Sequence, residues 1–95
     1  MNISTSPAAV HKPLGKYCHT TRVPASACWL VVSGQVGIDK NGKLMTGIRK
    51  QAEQTFRNIL ACLRENKMRK ADLVKTTVYL TDSRFIDDYR LARSR

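Results

Sequence analysis

The sequence predicts an α+β sandwich, with two helices on one face of a small sheet. Three observations carry that expectation: a continuous apolar run at residues 28–32, an apolar stripe at steps of three and four over 47–65, and alternation over 73–80. Together with a weaker strand at 17–23 and a second helical pattern opening at Phe85, they give the order strand, strand, helix, strand, helix. That order suits one layer of helices on one sheet.

Residues 1–12 read as a flexible N-terminal arm, and 13–95 as one partial domain. The segment from Tyr17 to Val23 extends as a first strand, and Pro24-Ala25-Ser26 is a turn. Cys28-Trp29-Leu30-Val31-Val32 has the length and composition of a strand buried on both faces, which makes Trp29 a core residue. Ser33-Gly34-Gln35 ends that strand. Gly34 there answers a backbone need, either a positive φ or a close approach. Val36-Gly37-Ile38 continues extended, and Asn41-Gly42, which tolerates positive φ, marks a tight hairpin or loop.

The strongest pattern follows. Ile48, Ala52, Thr55, Phe56, Ile59, Leu60 and Leu63 form one stripe of an amphipathic helix, to be packed on the sheet. Thr46 is placed to cap its start, and Asn66 to take the left-handed position at its end. From Leu73 to Leu80, Val74, Thr76, Val78 and Leu80 share one face of a strand. Thr81-Asp82-Ser83 caps a second helix, in which Phe85, Ile86 and Tyr89 are apolar and Asp87 and Asp88 suit the early turns.

Composition narrows the functional classes. With 95 residues and 42% hydrophobic content the chain is globular and holds a single domain. No apolar run reaches membrane-helix length, and Met1 to Lys12 lack the apolar centre of a signal peptide, so the cytoplasm is expected. Cys18, Cys28 and Cys62 are odd in number and form no CxxC pair. They read as reduced thiols in or near a core, without an adjacent base to activate them. His11 and His19 have no metal-pair spacing on a definable element, so no metal is expected. The net charge of +10 is spread along the chain, with local pairs at Arg49-Lys50 and Arg69-Lys70. Without an aromatic RNA-binding strand this favours nonspecific attraction at low salt over specific nucleic-acid recognition.

Four stretches carry a family resemblance. They are Leu14-Gly15-Lys16-Tyr17-Cys18-His19; Ser33-Gly34-Gln35-Val36-Gly37-Ile38-Asp39 with Asn41-Gly42; Gln51-Ala52-Glu53-Gln54-Thr55-Phe56-Arg57-Asn58-Ile59; and Asp72 to Asp82. In order and at this spacing they resemble the RidA (YjgF) family, also called endoribonuclease L-PSP. The resemblance implies a chorismate-mutase-like fold with a mixed sheet, a homotrimer, and active sites in clefts between subunits. It also implies hydrolysis of reactive imines and enamines, such as 2-iminopropanoate, to a keto acid and ammonia, with no cofactor.

Residue by residue, the resemblance carries over Tyr17 near the pocket mouth and the Ser33-Gly34 backbone in the pocket wall. Tyr89 stands where the family has a pocket asparagine, a departure that suggests a divergent subfamily. In the family the carboxylate-binding arginine comes from a strand after the second helix, and a nearby cysteine and a glutamate near the C-terminus complete the site, so the site and the last strands are expected to be missing from residues 1–95. Ala92-Arg93-Ser94 resembles the stretch holding that arginine, but the interval from Asp82 is too short for a whole helix and loop, and the apolar steps from Phe85 make Arg93 helical. Ser33 is a strand-end hydroxyl with no base logic around it. Gln51 is a polar helix-face residue or a subunit contact. Two other functions stay open: a noncatalytic binder of small carboxylates on the same fold, and a basic RNA-binding or RNA-cleaving protein.

Overall fold

In a computed structural model, which describes residues 2–14 and 18–93, the chain divides into two compact units, Met1–Leu30 and Val31–Arg95.

The first unit holds two short strands, β1 (Ile3–Thr5) and β2 (Thr20–Arg22). They pair antiparallel, with Ile3 opposite Arg22, Ser4 opposite Thr21 and Thr5 opposite Thr20. The hydroxyl residues form a cross-strand ladder: Ser4 Oγ lies 3.1 Å from Thr21 Oγ1, and Thr5 bonds Thr20 in the same way. β1 lies inside the stretch read as an arm. Between the strands, His19 donates from Nε2 to the His11 carbonyl at 2.7 Å, and the two rings meet edge to face at 5.1 Å. His11 Nδ1 in turn donates to the Lys12 carbonyl at 2.8 Å.

The second unit is built on α1 (Ile48–Glu65) and α2 (Ile86–Arg93). α1 forms where the periodicity places it, from residues of good helical propensity such as Gln, Ala, Glu, Arg and Leu. Its ends differ from expectation. Gly47 at φ +84 is the N-cap, with no side-chain cap, so Thr46 does not serve. At the other end Asn66 stays at φ −99, and Lys67 takes the left-handed position at φ +58. Met68 N then donates to the Leu63 carbonyl at 2.8 Å and Lys67 N to that of Arg64 at 3.0 Å, the paired bonds of a Schellman ending. Asn66 instead donates its side-chain amide to the Cys62 carbonyl at 2.9 Å.

The apolar stripe of α1 packs on α2 rather than on the expected sheet: Phe56 stacks on Tyr89, with ring centroids 5.9 Å apart and planes 30° apart. Ala52, Leu63 and Ala92 are the buried hydrophobic residues among those described. A short 3-10 helix, Ser83–Phe85, leads into α2, and Asp82 Oδ1 caps it by accepting from Arg84 N at 2.8 Å.

The other expected strands do not appear. No ladder includes residues 28–32 or 73–80 among the described residues, and the sheet found is antiparallel and two-stranded, not mixed. A strand is defined by a partner as much as by its own alternation, and neither run has one here. Trp29 is accordingly 69% exposed, not core. Cys18 and Cys28 are exposed as well, and only Cys62 is half-buried. The chorismate-mutase-like topology expected from the resemblance thus has its α+β composition here, but not its sheet.

Candidate functional site

Of the candidate site residues, Tyr17 lies outside the described residues. Ser33 and Gly34 are exposed, and the Ser33 carbonyl accepts from Gln35 Nε2 at 3.2 Å. Gly34 meets neither backbone need expected of it: its φ is not positive, and a Cβ there would have nothing within 4 Å. The close approach belongs to Gly37. A Cβ on Gly37 would fall 2.5 Å from Gln51 Cα, 2.7 Å from its Cβ and 2.9 Å from its carbonyl oxygen.

That contact is part of a clamp between α1 and the segment following Ser33-Gly34. Asn58 donates both amide hydrogens, to the Val36 carbonyl at 3.1 Å and the Ile38 carbonyl at 3.0 Å. Gln54 Nε2 donates to Asn58 Oδ1 at 2.9 Å, which fixes the amide with its nitrogen toward the loop. Gln51 Nε2 donates to the Met45 carbonyl at 3.0 Å. The clamped segment turns sharply, with Ile38 N on the Val36 carbonyl at 2.8 Å. It then runs into the hairpin foreseen at Asn41-Gly42: Ile38 pairs with Leu44, and Asp39 Oδ1 accepts from Asn41 N at 2.9 Å and Lys43 N at 3.0 Å. Gly42 sits at φ +82, where a side chain would be strained.

Gln51, Gln54 and Asn58 therefore share a job that their three-four-seven spacing announces: a polar edge on one side of the helix. Sequence reasoning picked out the motif but assigned only Gln51, as a surface or interface group. Its role is to hold loop carbonyls within its own chain.

Tyr89 and Arg93 come together in a shallow cleft of about 370 Å3. Val78, Leu80 and Ile86 supply its apolar lining, and Asp82, Ser83, Tyr89, Arg90 and Arg93 its polar one. Ser33 and Gly34 do not line it. The Arg93 guanidinium carbon lies 5.8 Å from the centre of the Tyr89 ring, a cation–π contact, and Arg93 is helical as the apolar steps required. Asp82 is neutralised locally: Arg84 reaches Oδ2 at 2.9 Å from Nη2 and at 3.0 Å from Nε. This side-chain bond, with the backbone bond from Arg84, holds the Asp82 carboxyl below its usual range. The lining sets the Arg93 guanidinium beside the Tyr89 ring, and nothing in the cleft is arranged as a nucleophile with its base. No group of three or more His, Cys, Asp or Glu among the described residues could hold a metal ion.

The family model described as Endoribonuclease L-PSP matches residues 7–92, which takes in the clamp motif and every lining residue of the cleft but Arg93. The chain belongs to the endoribonuclease L-PSP family. A RutC family protein of Aquifex aeolicus is 38% identical over 71 residues, covering 74% of this chain and 54% of the relative. Another from Buchnera aphidicola is 30% identical over 83 residues, covering 86% and 62%. A third, from Pyrococcus abyssi, is 37% identical over 73 residues, covering 75% and 55%. The chain thus spans little more than half the length of these L-PSP relatives. No solved structure matches it. No helix among the described residues is long and apolar enough to cross a membrane.

Proposed function

We propose that the protein serves the hydrolytic deamination of reactive imines and enamines of the 2-iminopropanoate type, giving a keto acid and ammonia. On this reading it works as a homotrimer in the cytoplasm, with substrate held between subunits and with no metal or organic cofactor. The observation that carries the reading is the match to the L-PSP family across residues 7–92. The clamp supports it, because it ties the stretch after Ser33-Gly34 to a rigid helix.

The reaction has few requirements. Water adds to the carbon of the C=N bond, the nitrogen gains protons, and the carbinolamine collapses with loss of ammonia as the C=O bond forms. A cation must hold the substrate carboxylate, and a positioned donor or acceptor must move protons. Backbone N–H groups can hold the polar end of the substrate. On this reading Tyr17 stands near the pocket mouth, the Ser33-Gly34 backbone supplies the pocket wall, and Tyr89 borders the substrate. The carboxylate-binding arginine, the cysteine and the glutamate have no match within residues 1–95.

The test compares the 95-residue chain with a hybrid that continues into the sequence following the matched stretch of the Aquifex aeolicus relative. Both receive 2-iminopropanoate made in situ by an amino-acid oxidase, and keto acid release is followed. The chain alone is expected to give no turnover above buffer, and the hybrid is expected to turn over. A folded, trimeric hybrid without activity would overturn the reading. Turnover by the chain alone would move the carboxylate site to Arg93. Fragments released from labelled RNA by either protein would favour the ribonuclease reading instead.

A further inference from the structure

The cations of α1 are not scattered. At 100° per residue, Lys50, Arg57 and Arg64 fall within about 40° of one another, on the side opposite the stripe centred on Ala52, Ile59 and Leu63. They recur every seventh residue, so along a rigid helix they stand about 10.5 Å apart and span about 21 Å. All three are exposed. Among the described residues none forms an ion pair or a side-chain hydrogen bond. The helix has two carboxylates. Glu53 is engaged by Arg49 at 3.6 Å, and Glu65 lies at the far end. Past the helix, exposed Lys67 and Lys70 extend the positive run.

A second observation is independent of this spacing. The first turn of α1 carries no acidic residue; Arg49 and Lys50 stand there instead. The N-terminal end of a helix is its positive pole and favours carboxylates. Cations at that pole weaken the helix and deepen the positive potential at one end of the stripe. Arg49 is offset by its pairing with Glu53, but Lys50 breaks the rule with no ion pair among the described residues, as expected where a surface serves a partner.

We propose that the outer face of α1 binds the phosphate backbone of a nucleic-acid duplex, independently of base sequence. The face carries a row of exposed cations, which complements the negative charge of a phosphate backbone. Neither Lys50, Arg57 nor Arg64 has an aromatic neighbour on the same side of the helix, so the row offers no stacking platform for the bases of a single strand. The row spans about 21 Å, about six base-pair rises of about 3.4 Å along a duplex axis, so it faces several phosphates at once. Affinity on such a surface comes from counterion release and falls steeply with salt.

The experiment measures binding of a fluorescein-labelled 24-base-pair DNA duplex by anisotropy over a salt series, with the intact 95-residue chain. Three proteins are compared: the chain itself, the triple variant Lys50→Gln, Arg57→Gln and Arg64→Gln, and a charge-matched control, Lys40→Gln, Lys43→Gln and Lys75→Gln. Glutamine is a good helix former, and far-UV circular dichroism confirms that α1 is retained. The slope of log Kobs against log salt is expected to shrink by about 2–3 in the stripe variant, from a loss of about 0.9 per phosphate contact. It should change by less than 1 in the control, equally for duplexes of unrelated sequence. An equal loss in both variants would show net charge alone at work and overturn the proposal. So would tighter binding of the single strand than of its duplex, or stripe-dependent binding to anionic lipid vesicles with none to the duplex. The readout is independent of deaminase turnover, so this proposal and the proposed reaction stand or fall separately.

Discussion

Gly37→Ala tests the clamp at its tightest point. The added carbon would fall 2.5 Å from Gln51 Cα and 2.7 Å from Gln51 Cβ. Ordinary carbon contacts lie at about 3.5–4.0 Å, so the loop and the helix must part by about 1 Å. The atoms in the way are helix backbone and a Cβ, which cannot swing aside. Overpacking of this kind costs about 1–3 kcal/mol. Parting by that distance also stretches the Asn58 bonds to Val36 and Ile38, now 3.1 and 3.0 Å, beyond useful length. Each is worth about 0.5–1.5 kcal/mol net. The sum is about 4 kcal/mol at mid-range, a large part of the roughly 5–15 kcal/mol that holds a small domain. Urea unfolding followed by circular dichroism at 222 nm reads it, since α1 dominates the helical signal. Thermal melting should show a fall of roughly 16–32 °C at this chain length. An unchanged midpoint for Gly37→Ala would mean that loop and helix are not in contact, and the clamp would have to be abandoned.

Two further outcomes follow from the second unit. Phe56→Ala should cost about 2–3 kcal/mol, below the range of about 3–5 for a fully buried ring because Phe56 is half-buried, with part of the loss coming from its stacking on Tyr89; a urea midpoint equal to that of the parent would reject the packing of α2 on α1. Asp82 should titrate below the ordinary aspartate value of about 3.9 in a carboxyl-resolved NMR titration, because Arg84 bonds it from side chain and backbone. Its folded pKa is depressed, so its stabilising effect is present above the unfolded value and is lost as pH falls through the folded one. A midpoint at or above the ordinary value would count against the cap, and one unmoved by Arg84→Ala against the side-chain bond.

What the sequence disclosed was local. The stripe from Ile48 to Leu63 gave α1 nearly to the residue, because a helix closes its own hydrogen bonds within four positions. Asn41-Gly42 announced the hairpin for the same reason. The cap residues were less legible. Thr46 and Asn66 are the better formers by type, yet Gly47 and Lys67 hold those positions, and only backbone geometry reveals it. Residues 28–32 and 73–80 have the composition of strands, but pairing depends on what lies beside them, which alternation does not encode. In the site, the resemblance pointed to Ser33, Gly34 and Tyr89; the structure brings Tyr89 to Arg93 and leaves Ser33 and Gly34 exposed, away from that cleft. Gly34 and Gly37 lie in the same short motif, and only the approach of Gln51 separates them.

The bonds from Asn58 to Val36 and Ile38 also bear on the order in which the second unit assembles. They join groups 22 and 20 residues apart, whereas the turns of α1 and the hairpin close over a few residues each. Closing a loop of that length adds only modestly to the entropy already lost in shorter ones. Helix and hairpin therefore form from neighbours in the chain, and the side-chain amide latches them afterwards. Contacts so close in sequence favour folding on the microsecond-to-millisecond scale. Once latched, the two open together, so the amide hydrogens of Met45 and Gln51, which donate to the Gly37 and Gly47 carbonyls, exchange with solvent as one cooperative unit.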